Sequence, residues 1–302
     1  MRLRALIIMI CCVGIWSCSP GRKENRIKKA FLLANQKLEE GYFDEAASLY
    51  SKVIDAKPEL TDAYMNRGVA YYEGGHYVLA LADYNHVYHQ FPEYNAVLFN
   101  RAYTYLAMNR PDDAYRDVKA LMEIYPDSAL IDVIEGLYWE KIGQLDSSLA
   151  TFDQALKKEP DNFDALANRG IIYYKQAKFQ QAEADFDAAL IMRANEPVVL
   201  NPLSLVYLET GRLDAADSLL DLALGIYVDH PYFLNNKGLV ALGRGELAEA
   251  DSLISRSLRQ DSTNAWAYRN LARLHQRIGD EDSFSYYKVK AIRLDSSLSA
   301  SF

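Results

Sequence analysis

Residues 61–94 read TDAYMNRGVAYYEGGHYVLALADYNHVYHQFPEY. Tyr64, Gly68 and Tyr71 fall at i, i+4 and i+7, one face of a first helix. Gly75 supplies the break at which the chain turns back. Ala80, Tyr84, Val87 and Tyr88 repeat the helical spacing on a second helix, and Pro92 closes the stretch. A single pair of short helices cannot bury its apolar faces alone, so this stretch needs neighbours of its own kind.

The neighbours are present, in register. Every thirty-fourth residue is small: Ala34, Gly68, Ala102, Gly136, Gly170, Ser204, Gly238 and Ala272. A second small residue follows the first seven of these by 12 positions, at Ala46, Ala80, Ala114, Ser148, Ala182, Ala216 and Ala250. Two small side chains per unit let two helices pack closely. Six of the eight turn positions are glycine: Gly41, Gly75, Gly143, Gly211, Gly245 and Gly279. The period predicts an all-α chain, an α-solenoid of eight antiparallel helix pairs. The units fall at 27–60, 61–94, 95–128, 129–162, 163–196, 197–230, 231–264 and 265–298, with 299–302 as a tail.

Five successive units carry an aromatic at the inner position of the first helix: Tyr71, Tyr105, Trp139, Tyr173 and Tyr207. Prolines close the first four units at Pro58, Pro92, Pro126 and Pro160. Asp44, Asp112, Asp146 and Asp214 open second helices, where the helix dipole favours a negative charge. This recurring set resembles the tetratricopeptide repeat. The resemblance implies a right-handed superhelix whose inside is lined by the first helices, and a groove there that receives peptides or partner helices. It also implies a protein-binding scaffold, not an enzyme.

One helical stripe would line that groove. It reads Met65, Val69 and Tyr72, then Phe99, Tyr103 and Leu106, then Val133 and Leu137, then Ala167, Ile171 and Tyr174. It continues with Leu205, Leu208, Tyr232, Leu239 and Leu242, and changes character at Trp266, Arg269, Arg273 and Gln276. An apolar trough of this size would mark a partner site, and its basic end would hold a carboxylate or acidic flank of that partner. Some of these residues would instead pack between neighbouring first helices. Asn66, Asn100, Asn168, Asn236 and Asn270 recur at one unit position, where the resemblance implies a contact to the backbone of an extended ligand. A purely helix-to-helix role for them stands beside that one. The lysines of the carboxylate-clamp subfamily are missing, because Phe31 and Ala96 occupy their places in the first triplet.

The N-terminus carries a different message. Arg2 and Arg4 precede an uncharged, mostly apolar run from Ala5 to Trp16, too short to span a bilayer comfortably. Ile15-Trp16-Ser17-Cys18 resembles the lipobox of bacterial lipoproteins, with Trp16 departing from the small residue usual there. That resemblance implies removal of residues 1–17 as a signal peptide, lipidation of Cys18 and a tether over 18–26. An uncleaved anchor or a plain secretory signal shares the same charge and length cues. Lipidation would place the protein in the bacterial cell envelope facing the periplasm, on the outer rather than the inner membrane. Arg22, Lys23, Arg26, Lys28 and Lys29 form a basic cluster after the tether that would meet either anionic headgroups or solvent.

Other chemistries are poorly served. The formal charge is −8, and loss of Arg2 and Arg4 takes it to −10, which repels nucleic acid. Three cysteines, at 11, 12 and 18, leave no disulfide framework in the repeats. His86 and His89 lack a third metal ligand at sensible spacing, and no phosphate loop, dinucleotide fingerprint or nucleophile elbow is present. No cofactor is expected. Pro202 and Gly225 make the sixth unit irregular, either as a tolerated kink or as a soft joint. Lys288 replaces an apolar residue that normally packs on a following unit, so the eighth unit either caps itself or docks onto something. The rival to the scaffold reading is a structural module that oligomerises head to tail through that end.

Overall fold

The computed structural model describes residues 21–302. Among them are sixteen α-helices in consecutive antiparallel pairs and one closing 3₁₀ turn. The pairs are α1 (Arg22–Glu39) with α2 (Phe43–Ala56), α3 (Thr61–Glu73) with α4 (Tyr77–Gln90), α5 (Ala96–Ala107) with α6 (Pro111–Ile124), and α7 (Ala129–Lys141) with α8 (Leu145–Lys158). They continue as α9 (Phe163–Lys175) with α10 (Phe179–Met192), α11 (Pro197–Glu209) with α12 (Leu213–Ile226), α13 (Pro231–Arg244) with α14 (Leu247–Gln260), and α15 (Ala265–Ile278) with α16 (Glu281–Leu294). The turn spans Ser296–Ser301. Packing divides the chain into two compact units, one ending at Ala165 and the other running Leu166–Phe302.

Each helix pair closes on its small residue. A Cβ built on Gly136 would lie 2.5 Å from Phe152 Cε1, and one on Gly170 would lie 2.6 Å from Phe186 Cε1. The large side chain of the second helix therefore occupies the space that a side chain on the first helix would need. Phe152 and Phe186 are fully buried, each contributing about 2 kcal/mol by removal from water.

The corners are built alike. The backbone N–H of His76 donates to the Tyr71 carbonyl at 2.7 Å, and Arg110, Gln144, Lys178 and Arg212 donate likewise to Tyr105, Trp139, Tyr173 and Tyr207. The inner aromatics thus also supply the carbonyl that closes the corner. The residue just before each donor sits in the left-handed region, as Gly75 does at φ 84°. In the two corners without glycine, Asn109 (φ 58°) and Ala177 (φ 57°) adopt the same conformation.

In the first unit the core runs continuously from Phe31 to Tyr138 between the stacked pairs. In the second, Leu200, Leu220 and Phe233 anchor one cluster, and Ile254 and Leu271 another. Pro202 is buried inside α11, which remains one unbroken helix from Pro197 to Glu209.

The closing segment answers the question raised by Lys288. Leu298 is buried with Ala265 and Ala291, and Tyr268 and Phe302 both pack against that cluster. Lys288 Nζ lies 5.5 Å from the Phe284 ring centre and 5.2 Å from that of Phe302, a cation–π arrangement in place of an apolar contact. The eighth pair is capped by its own chain.

No helix among the described residues is long and apolar enough to cross a membrane. The signal-peptide and Cys18 readings lie outside the described residues.

Candidate protein-binding surface

The stripe read from the sequence divides in two. In the unit ending at Ala165, Met65, Val69, Tyr72, Phe99, Tyr103 and Leu106 are all buried within the core, and Leu137 packs half-buried against it. This corrects the expectation of an open trough for these residues. The pairs stack so closely that side chains on adjacent first helices fill the space between them. Burial, with the charges of Asp164 and Tyr72 adding to it, pushes the Tyr103 hydroxyl well above its ordinary pKa. That hydroxyl has no hydrogen-bond partner among the described residues.

In Leu166–Phe302 the stripe remains partly open. Ile171 and Tyr174 on α9, Leu205 and Leu208 on α11, and Tyr232 and Leu239 on α13 are half-buried. Trp266 on α15 is 49 % exposed. Burial and the negative charge of Glu209 push the Tyr174 hydroxyl up to about 12, and Arg269 pulls in the opposite direction. Tyr174, Glu209 and Arg269 therefore feel one another's charge from α9, α11 and α15.

Arg269 and Arg273 form the cationic end. Arg269 Nε donates to Ser301 Oγ at 3.0 Å, and Arg273 Nη2 lies 3.4 Å from the Ser301 carbonyl oxygen. The Trp266 ring centre is 5.2 Å from the Arg269 guanidinium. Neither arginine has a carboxylate ion-pair partner among the described residues. Burial, then the like charge of Arg273, lowers the Arg269 pKa. A half-buried guanidinium held only by neutral oxygens can take a carboxylate in their place.

The recurring asparagines do a different job from the one proposed for a ligand backbone. Asn66, Asn100, Asn168, Asn236 and Asn270 are at most 3 % exposed. Asn66 Nδ2 donates to Asn35 Oδ1 at 3.3 Å, Asn236 Nδ2 to Asn201 Oδ1 at 3.0 Å, and Asn270 Nδ2 to Asn235 Oδ1 at 2.9 Å. These three tie adjacent first helices together, and burial of all five corrects the expectation that they stand open to a ligand backbone.

A feature missed in the sequence is a set of forked ion pairs inside the helix pairs. Arg67, Arg101 and Arg169 each grip an aspartate sixteen residues later: Asp83, Asp117 and Asp185. Burial pushes the Asp83 and Asp117 carboxyls above their ordinary range, against the pull of the arginine hydrogen bonds. These pairs specify how helices fit and lie apart from the exposed stripe. His86 is likewise structural, stacked on Tyr64 at 4.2 Å, and no group of three metal-ligating side chains occurs among the described residues.

Comparison with known proteins adds to this picture. A family profile of the tetratricopeptide repeat matches residues 31–95 and 135–197, and a second tetratricopeptide profile matches residues 96–128. Over 113 residues, or 37 % of its length, the chain is 24 % identical to a BBSome complex member BBS4 homolog of Drosophila melanogaster, of which it spans 23 %. Its fold is similar to that in the APC/C hetero-tetramer Cut9-Hcn1, with a TM-score of 0.63 at 12 % identity, covering 92 % of this chain and 68 % of that one. It is similar to the type IV pilus biogenesis factor PilW, with a TM-score of 0.57 at 23 % identity over 68 % of this chain and 95 % of that one. For Pseudomonas aeruginosa pilF the TM-score is 0.56 at 18 % identity, over 68 % and 93 % of the two chains.

Proposed function

The chain belongs to the tetratricopeptide repeat family, and on that premise we propose that it is a protein–protein interaction scaffold that receives a peptide or helix of a partner on the first-helix face of Leu166–Phe302. The observation that carries this reading is the open stripe of half-buried aliphatic and aromatic side chains ending at Arg269 and Arg273. Ile171, Tyr174, Leu205, Leu208, Tyr232 and Leu239 supply apolar contact, and exposed Trp266 is the kind of side chain that dominates binding at interfaces. The cations select a carboxylate or acidic flank on the partner. No catalytic step and no cofactor enter this proposal.

We place the scaffold in the bacterial cell envelope, tethered through lipidated Cys18 and facing the periplasm. The charged, apolar and small-residue pattern of residues 1–18 supports that placement. The role would be assembly or regulation of envelope machinery. Unit boundaries at the 34-residue period belong to the same proposal.

In-cell photocrosslinking from Tyr174 and Leu205 tests the surface. The expected result is one partner captured from both positions and lost on Arg269→Glu. Capture of nothing but the chain itself, or of a partner indifferent to Arg269→Glu, would remove the reading. The rival, head-to-tail stacking through the last helix pair, is disfavoured by the segment Ser296–Ser301, which already covers that end with Leu298 buried.

A further inference from the structure

We propose that the outer face of α4 is a contact between two copies of this chain, packed antiparallel about a twofold axis passing near Ala82. The face is unusual for a surface helix. Val78 is 70 % exposed and Leu79 48 % exposed, and Ala82, Tyr88, His89 and Gln90 are open beside them. None of these is Asp, Glu, Lys or Arg. The helix has one such residue, Asp83, and it is buried in the fork of Arg67. Every other second helix of the described residues exposes at least one formal charge, as Asp112 does on α6 and Asp187 on α10.

A twofold contact brings a surface patch against its own copy, so an exposed charge near the axis faces its like. In a chain of net charge −8, two copies repel over most of their surfaces. The α4 face escapes that repulsion. Val78, Ala82 and His86 are spaced i, i+4 and i+8, which makes a single stripe along the helix. Ala82 lies at its centre and lets two backbones approach, with Val78 and Leu79 of one copy set over His86 of the other.

The polar groups at the edge of the stripe are already engaged at home. Asn85 Oδ1 accepts from Arg101 Nη1 at 3.3 Å, and the Tyr88 ring centre lies 3.7 Å from the Arg101 guanidinium. The His86 ring is stacked on Tyr64. Pairing would therefore cover apolar surface without stranding Asn85 Oδ1 or drawing the Tyr88 ring from Arg101. The contact uses a second helix, whereas the partner stripe lies on first helices, so the two proposals stand or fall separately.

Sedimentation equilibrium of the full chain in density-matched detergent decides the matter. The expected result is a dimer that Ala82→Glu weakens at least tenfold, because it sets like charges together at the axis. Ala184→Glu, at the matching position of α10, should leave the dimer unchanged. Both sites are exposed, and circular dichroism checks that both variants keep their helix content. A monomeric parent at tens of micromolar, or a dimer as tight after Ala82→Glu as before, overturns the proposal. Larger assemblies indifferent to Ala82→Glu overturn it too, and point to the chain ends instead.

Discussion

Arg101 holds Asp117 with both arms of its guanidinium, Nε to Oδ2 at 2.7 Å and Nη2 to Oδ1 at 2.5 Å, across the two helices of one pair. Both side chains are almost wholly buried. Arg101→Met alone leaves the Asp117 carboxylate unpaired in the core and should cost about 3–5 kcal/mol. Arg101→Met combined with Asp117→Leu removes both charges and should recover most of that loss. Urea unfolding of the two single variants and the double variant checks the prediction.

A corner offers the opposite experiment. Ala177 adopts φ 57° where six other corners have glycine. The left-handed conformation costs a residue with a Cβ about 1–2 kcal/mol, part of which returns as the greater freedom of glycine in the unfolded chain. Ala177→Gly should therefore stabilise the protein by about 0.5–1 kcal/mol. The thermal melting midpoint should rise accordingly, and Gly75→Ala should lower it.

Two tyrosines at equivalent positions should respond differently to loss of their hydroxyls. Tyr50 OH donates to Asn35 Oδ1 at 2.6 Å, whereas Tyr84 OH is buried without a hydrogen-bond partner among the described residues. The next unit has Val69 where Asn35 stands, so the acceptor is gone. Tyr50→Phe should cost about 1 kcal/mol, and Tyr84→Phe should be neutral or stabilising. Denaturant midpoints of the two variants provide the comparison.

Asp217 predicts an acid limb in stability. Burial raises its pKa, but hydrogen bonds from Lys237 and Arg244 outweigh burial and leave it below the ordinary aspartate value. A carboxyl depressed in the folded state contributes stability above its unfolded pKa of about 3.9, and that contribution is lost as the pH falls through the folded value. Asp217→Asn should flatten the decline below about pH 4 and lower stability at neutral pH. Urea titrations across this range measure both effects.

Much of the fold was legible because backbone geometry constrains residue type. Gly136 and Gly170 sit where a Cβ would collide with Phe152 and Phe186, and a period of such positions can be seen without coordinates. The candidate surface was harder. Val69 and Leu205 occupy the same unit position and carry similar side chains, yet the first is fully buried and the second is partly open. Residue type alone does not tell which apolar side chain a neighbouring helix will cover. The buried asparagines share that ambiguity, since an amide serves a helix as readily as a ligand. The arginine forks did leave a trace, in arginines sixteen residues ahead of aspartates at Arg67, Arg101 and Arg169. The docking of Leu298 left none, because a short serine-rich segment has no periodicity to read.

The forks have a bearing on how such a chain can grow. Arg67 closes its ionic contact on Asp83 within its own 34-residue segment, and reaches the preceding segment only through the uncharged Ser51 Oγ at 2.9 Å. A tandem duplicate of residues 61–94 would place its arginine against Asn85, the same neutral neighbour that Arg101 meets at 3.3 Å. Lengthening by this segment would then leave every such fork intact, whereas a cut between its arginine and its aspartate would orphan both charges.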